Sequence, residues 1–294
     1  MNTPHVLAYQ GSKRKLASKI EQYIPHNHYK RLIEPFAGSA SMTLHCAHRE
    51  LFESYIVGES WVALADFWQT LLSSPELIID GYESIWSKQN DDPAFNRVMF
   101  FEVRERFNKN PNPWELYYLI TRCVKNSIRF NSNGEFNQSC DNRRKGVSPM
   151  KVARNIKAAS NLLTGRTEVH YGDYELLLSK ASRGDLVYLD PPWQGVSGKT
   201  KDKRYFEQLD LDRFVNNLTL LNERGVDFIL SFDGSKGDVT YHDGFSSSLN
   251  MKRVELDAGL SAQSLLNGQK EKTIESLYLS EGIVKKLLKT KKNL

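Results

Sequence analysis

The sequence predicts an α/β fold: a mainly parallel sheet with helices on both faces, interrupted by an inserted, mostly helical module. Three observations carry this. Short apolar stretches recur along the chain with helical patterns between them, the alternation that builds parallel sheets. One of them, "GDLVYLDPPWQG" (184–195), is an apolar run closed by an acid and two prolines, as a buried strand ending in a stiff turn would be. The series then breaks between about Pro75 and Ser160, where the chain turns aromatic, polar and helical in pattern.

Taken in order, "KRKLASKIEQYI" (13–24) places Leu16, Ile20, Tyr23 and Ile24 on one helical face. "RLIEPF" (31–36) and "SYIVGE" (54–59) read as strands. Beyond the break, "EVHYGD" (168–173), "DLVYLD" (185–190), "VDFILSF" (226–232), "KRVELD" (252–257) and "ESLYLS" (275–280) continue the set. "DLDRFVNNLTLLNERG" (210–225) is a helix capped by Asp210 and stopped at Gly225. The tail "KKLLKTKKNL" reads as a frayed basic helix. The expected division is a body of residues 1–72 and 160–294 with an inserted domain at 73–159. The core of that insertion, "RFNSNGEFNQSCDNRRKG", is polar and loop-like, a composition that in a compact domain points to function.

Composition narrows the class. With 40% hydrophobic and 26% charged residues the chain suits a folded, water-soluble protein. No apolar run approaches a membrane span, and "MNTPHVLAYQ" lacks the regions of a signal peptide. Cys46, Cys123 and Cys140 form no CxxC pair and the histidines do not cluster, so neither a disulfide framework nor a metal site is expected, and the setting expected is cytoplasmic. Net charge is +5, but unevenly spread. From Arg122 to Lys157 nine basic residues face only Glu135 and Asp141, so that segment is +7 and the rest of the chain −2. Such a patch is either a solvated helix face or the footprint of a nucleic-acid partner.

Two strand ends carry unusual chemistry, at the place where open α/β sheets bind ligands. In "LIEPFAGSASMTL" (32–44), Gly38 and its small neighbours allow a tight turn whose N–H groups can approach a ligand. Glu59 closes the next strand, where an acid can accept hydrogen bonds from ribose hydroxyls. A purely structural turn explains this pair as well. The "DPPW" turn is more specific. Asp190 and the exposed carbonyls of a proline-stiffened turn are acceptors, and Trp193 offers a flat stacking face. Two acceptors beside an aromatic plate suit a planar ring bearing an NH2 group. Accepting both its hydrogens draws the conjugated nitrogen toward tetrahedral geometry and turns its lone pair toward an electrophile. A nicotinamide-dependent oxidoreductase shares the sheet, but has no use for this turn.

"EPFAGSA" followed by "DPPW" resembles the Dam-like DNA adenine-N6 methyltransferases of the alpha motif order, in which a recognition module lies between the two motifs. "YQGSKRKL" (9–16) is similar to that family's N-terminal cofactor motif, and "NSIRFNSNGEFNQS" (126–139) to its recognition segment. The resemblance implies a Rossmann-like class I methyltransferase sheet, S-adenosyl-L-methionine as cofactor, and double-stranded DNA as partner. It implies methyl transfer to a flipped-out adenine, with Asp190, Pro191, Pro192 and Trp193 catalytic. Cofactor contacts are implied for Tyr9, Gly11, Lys13, Glu34, Phe36, Gly38, Glu59, Asp173, Tyr174 and Asp190. DNA contacts are implied for Asn126, Arg129, Asn131, Asn137, Arg143, Arg144 and Lys145. A restriction or phage-defence partner is compatible with it. Ala40 stands in place of the last glycine of FxGxG, which a slightly wider turn accommodates; Trp193 replaces the commoner tyrosine. RNA adenine-N6 or DNA cytosine-N4 methylation, or a catalytically idle DNA-binding relative, are the alternatives.

Overall fold

The computed structural model describes residues 3–9, 11–192, 209–236, 239–240, 249–260 and 272–292. Strands β1 (Arg31–Glu34), β2 (Ser54–Glu59), β3 (Thr167–Tyr171), β4 (Asp185–Leu189), β5 (Asp227–Lys236), β7 (Lys252–Leu260) and β8 (Lys272–Leu279) form one sheet in the order β3-β2-β1-β4-β5-β8-β7. The short β6 (Val239–Thr240) pairs with β5. The first five strands of that order are parallel, and β8 is antiparallel to both β5 and β7. This is a Rossmann-like, doubly wound sheet, as the sequence predicts.

Alternation along each strand explains the two-sided core. Leu32, Tyr55, Leu186 and Tyr188 face one layer, and Ile33, Ile56, Val187 and Leu189 the other. The second layer is closed by α8 (Tyr174–Lys180) and α9 (Leu211–Glu223), which contribute Leu177, Leu178, Phe214, Leu218 and Leu221. The first is closed by α2 (Ser41–His48), α3 (Val62–Ser73), α4 (Pro75–Trp86), α6 (Pro113–Arg122), α7 (Pro149–Leu163) and the C-terminal α10 (Glu281–Lys292). Each buried Leu, Val, Ile or Phe contributes about 1.5–3 kcal/mol relative to exposure.

The segment between α3 and β3 is helical, as its pattern predicts, and α5 (Pro93–Lys109) completes it. Its helices α4, α5, α6 and α7 all begin with proline at the first turn, where a missing N–H costs nothing. Asp92 and Asn112 cap α5 and α6 through the N–H groups of Ala94 and Glu115. Their buried faces run into the sheet's own core without a break.

Some boundaries differ from expectation for local reasons. The first strand stops at Glu34, because Pro35 has no N–H to continue a ladder. The third stops at Tyr171; Gly172 turns at φ +123° and Asp173 caps α8 instead. The expected helix 13–24 is a 3₁₀ turn at Lys13–Lys15 followed by α1 (Ala17–Glu21), tightened where the Lys13 side chain enters the interior. Asp210 caps α9 through the Arg213 N–H, and Gly225 follows it at φ +66°, both as expected.

Candidate active site

The strand order reverses between β1 and β4, so their C-terminal ends open the crevice in which such sheets bind ligands. Asp190 leaves β4 there, followed by a buried Pro191. Lys13 Nζ reaches Asp190 Oδ1 at 3.0 Å and Glu275 Oε2 at 3.2 Å, with only 5% of the lysine side chain exposed. Burial raises the Asp190 carboxyl to about 6, with Glu275 pushing the same way and Lys13 opposing. Burial alone disfavours the Lys13 ammonium, but the two carboxylates outweigh it and hold its pKa well above the lysine norm. Lys13, implied as a cofactor contact, is thus placed on the carboxylate of the proline turn.

The turn after β1 is held from three sides. The Gly38 N–H donates to Glu59 Oε2 at 3.0 Å, and the Gly38 carbonyl accepts from Trp68 Nε1 at 3.0 Å. Gly38 has φ +49°, and a Cβ there would sit 3.4 Å from the Tyr9 ring. Ala40 also lies in the left-handed region, at φ +46° and ψ +40°. The turn is therefore not widened around alanine: the alanine adopts the conformation a glycine would. Ser12, Ser39 and Ser41 join hydroxyls across this turn at 2.6–3.0 Å, tying the N-terminal motif to it. Glu34 is buried and accepts from the N–H and hydroxyl of Thr43, so it caps α2 from below. Burial lifts its carboxyl to about 7.

An aromatic wall closes one flank. The Phe36 and Tyr174 rings lie 4.9 Å apart. The Tyr174 hydroxyl is buried and meets no hydrogen-bond partner among the described residues. Asp173 caps α8 through the Glu175 N–H and pairs with Arg213 at 3.3 Å.

Over residues 9–289 the chain matches the model of the D12 class N6 adenine-specific DNA methyltransferases. It belongs to that family. Among relatives, the modification methylase StsI of Streptococcus sanguinis is 27% identical over 256 residues, which cover 83% of this chain and 36% of that protein. The DNA N-6-adenine-methyltransferase of Escherichia phage P1 is 23% identical over 248 residues, covering 81% of this chain and 31% of its own length. The chain thus spans about a third of each of these two relatives. The type II methyltransferase M1.LlaDCHI of Lactococcus lactis subsp. cremoris is 22% identical, with 92% of this chain and 94% of that protein covered.

Methyltransferases of this family and fold use S-adenosylmethionine, and the D12 crevice fits it. An aromatic wall with an unsatisfied buried hydroxyl suits a purine, and the acid at the end of β2 suits a ribose.

The residues implied for DNA fall into two groups. Phe130 and Phe136 bridge a tight hairpin; Trp61 packs on Phe130, and Asn108 bonds both the N–H and the carbonyl of Phe136. The hairpin displays Arg129 and Asn137 to solvent, while Asn131 accepts from the N–H groups of Asn133 and Glu135 at its tip. Arg143 is 85% exposed beside Asp141, and Lys145 pairs with Asp91 at 2.7 Å. Asn126 and Arg144 instead hold the loop together: Arg144 donates to Asn126 Oδ1, to the Cys123 carbonyl and to Asp141, and Asn126 donates to the Ile120 carbonyl. Trp193, assigned to stack on the target base, lies outside the described residues, as do the basic residues of "QGVSGKTKDKR" (194–204).

Sequence reasoning missed Glu275 and Trp68. An acid that opens an apolar strand reads as an ordinary strand end, and a tryptophan in an amphipathic helix reads as core. Only the sheet order brings Glu275 to Asp190.

Proposed function

We propose that this chain methylates the N6 amine of adenine at a specific site in double-stranded DNA. The observation that carries this is the Asp190 carboxylate, half-buried at the switch point and followed by two prolines. When bound, S-adenosylmethionine supplies an electrophilic methyl group on a sulfonium. Tyr9, Gly11, Phe36, Gly38, Glu59, Asp173 and Tyr174 line the crevice that holds it, while Lys13 and Glu34 support the site from beneath. The target adenine leaves the duplex, at a cost of a few kcal/mol, to reach Asp190. Lys13 engages Oδ1 of Asp190; Oδ2 and the Pro191 carbonyl accept the two amine hydrogens. That pair of bonds aims the nitrogen lone pair, and the carboxylate stabilises the positive charge that the nitrogen acquires. Trp193 stacks on the base.

The module at 73–159 holds the duplex. Arg129 and Asn137 on the hairpin meet base edges, where arginine suits guanine and asparagine adenine, while Asn131, implied there too by the resemblance, spends its amide on shaping the hairpin tip. Arg143 and Lys145 meet phosphates, which position without specifying. Relatives named as modification methylases and type II methyltransferases favour a restriction system as the setting.

The test is transfer of label from tritiated S-adenosylmethionine to unmethylated genomic DNA, with RNA and Asp190→Ala controls and chromatographic identification of the labelled base. N6-methyladenine in DNA, lost in the variant, is the expected result. Label in N4-methylcytosine or in RNA would overturn the substrate assignment, and no label with intact cofactor binding would overturn the activity.

A further inference from the structure

Glu275 lies on β8, opposite Gly234 of β5 and Leu256 of β7, and accepts from the Ser231 hydroxyl at 3.4 Å. That hydroxyl belongs to a residue only 2% exposed, so the carboxylate is aimed inward by a buried group. It ends on the same ammonium that Asp190 engages.

The consequence is one of charge. Asp190 and Lys13 alone form a neutral pair, in which the ammonium draws density from the oxygen that must accept amine hydrogens. With Glu275 the cluster carries a net charge of −1. The reaction proposed above moves one positive charge from sulfur to nitrogen, so the transition state is cationic throughout. Because that charge moves onto the nitrogen held at Asp190, negative charge there favours the transition state over the ground state.

We propose that Glu275 is a positioning residue for methyl transfer: by sharing the Lys13 ammonium it leaves Asp190 the negative charge with which it accepts the target amine. The inference rests on the reading of Asp190 as the amine's acceptor. Among the described residues, four groups face Asp190: Lys13 from the 3₁₀ turn, Glu275 from β8, the Tyr188 hydroxyl from β4 and Glu34 from β1. Removing the Glu275 charge leaves the Lys13 ammonium paired with Asp190 alone and makes Asp190 the weaker base.

The experiment compares the wild-type chain with Glu275→Gln and Glu275→Asp. It follows the pH dependence of N6-methyladenine formation and the titration of the Asp190 carboxyl carbon by NMR. Glu275→Gln is expected to lower kcat about 10- to 100-fold with DNA KM little changed. Its acid limb and its Asp190 midpoint both move to lower pH, because a charge that raised the carboxyl's pKa is gone. Glu275→Asp, which keeps the charge, retains most of the rate and the wild-type limb. An unmoved Asp190 midpoint in Glu275→Gln, or a rate loss equal in both variants, overturns the proposal. If the wild type forms no N6-methyladenine, the proposed function fails, and the carboxyl titration still decides whether Glu275 sets the charge of Asp190.

Discussion

The backbone N–H of Gly38 donates to Oε2 of Glu59 across 3.0 Å, so the acid that ends β2 also fixes the turn that ends β1. If Glu59 receives the cofactor's ribose, Glu59→Gln keeps an oxygen for Gly38 but exchanges a charged acceptor for a neutral one. Hydrogen bonds to charged groups contribute about 1.5–3 kcal/mol. S-adenosylmethionine is therefore expected to bind about tenfold or more weakly by calorimetry. The thermal midpoint should stay close to that of the wild type. An unchanged Kd would remove Glu59 from the cofactor site.

Ala40 makes a second test of the same turn. A left-handed alanine costs roughly 1–2 kcal/mol, which glycine would relieve. Glycine also loses a buried methyl, worth about 0.8 kcal/mol, and gains unfolded-chain entropy of about 0.4–1 kcal/mol. These offset, so Ala40→Gly should lie within about 1 kcal/mol of wild type in urea unfolding. Ala40→Val, a β-branched residue at φ +46°, should be destabilised well beyond that. Equal midpoints for the two variants would contradict the left-handed backbone.

Glu34 predicts a pH dependence of stability. Its carboxyl moves from 4.5 to about 7 on folding, chiefly through burial, so the folded state holds the proton more tightly. The stabilisation is complete below about 4.5 and is lost as pH rises through 7, by at most about 3 kcal/mol. Asp190, moved from 3.8 to about 6, adds in the same direction. Glu34→Gln retains an acceptor for Thr43 and cannot ionise. Its thermal midpoint relative to wild type should rise between pH 5 and pH 8; a difference that is flat with pH would refute the buried, protonatable carboxyl.

How far the sequence foretold this arrangement depends on the kind of signal each residue sends. Leu186 to Leu189 are apolar without interruption because a central parallel strand is covered on both faces, and that pattern is local. Asp190 and Gly38 were legible because a proline-bounded acid and a small-residue turn are chemically odd where they stand. Glu275 sends no such signal: its role arises only when β8 folds back beside β5, some 40 residues on in the chain. Ala40 was legible as a departure from glycine but not as a strained residue, since strain belongs to the backbone. Arg143 and Arg144 are adjacent and alike in sequence, and both pair with Asp141, yet Asn126 and Cys123 tie Arg144 into the loop while Arg143 stays 85% exposed.

That last contrast yields a prediction that separates DNA contact from loop architecture. Arg143→Ala removes one cation from the proposed phosphate track and, with it, one exposed ion pair to Asp141. The slope of log K against log salt for DNA binding should fall by about one, uniformly across sequences. Arg144→Ala breaks three hydrogen bonds that close the loop, so it should cost about 2 kcal/mol of stability by urea unfolding. Arg129→Ala, on the exposed hairpin, should leave the salt slope nearly intact and cost about 1–3 kcal/mol of discrimination at one base pair. Fluorescence anisotropy with specific and scrambled duplexes over a salt series measures all three. Were Arg129→Ala to weaken both duplexes equally, the hairpin would grip backbone rather than read bases, and recognition would have to be sought elsewhere in the insertion.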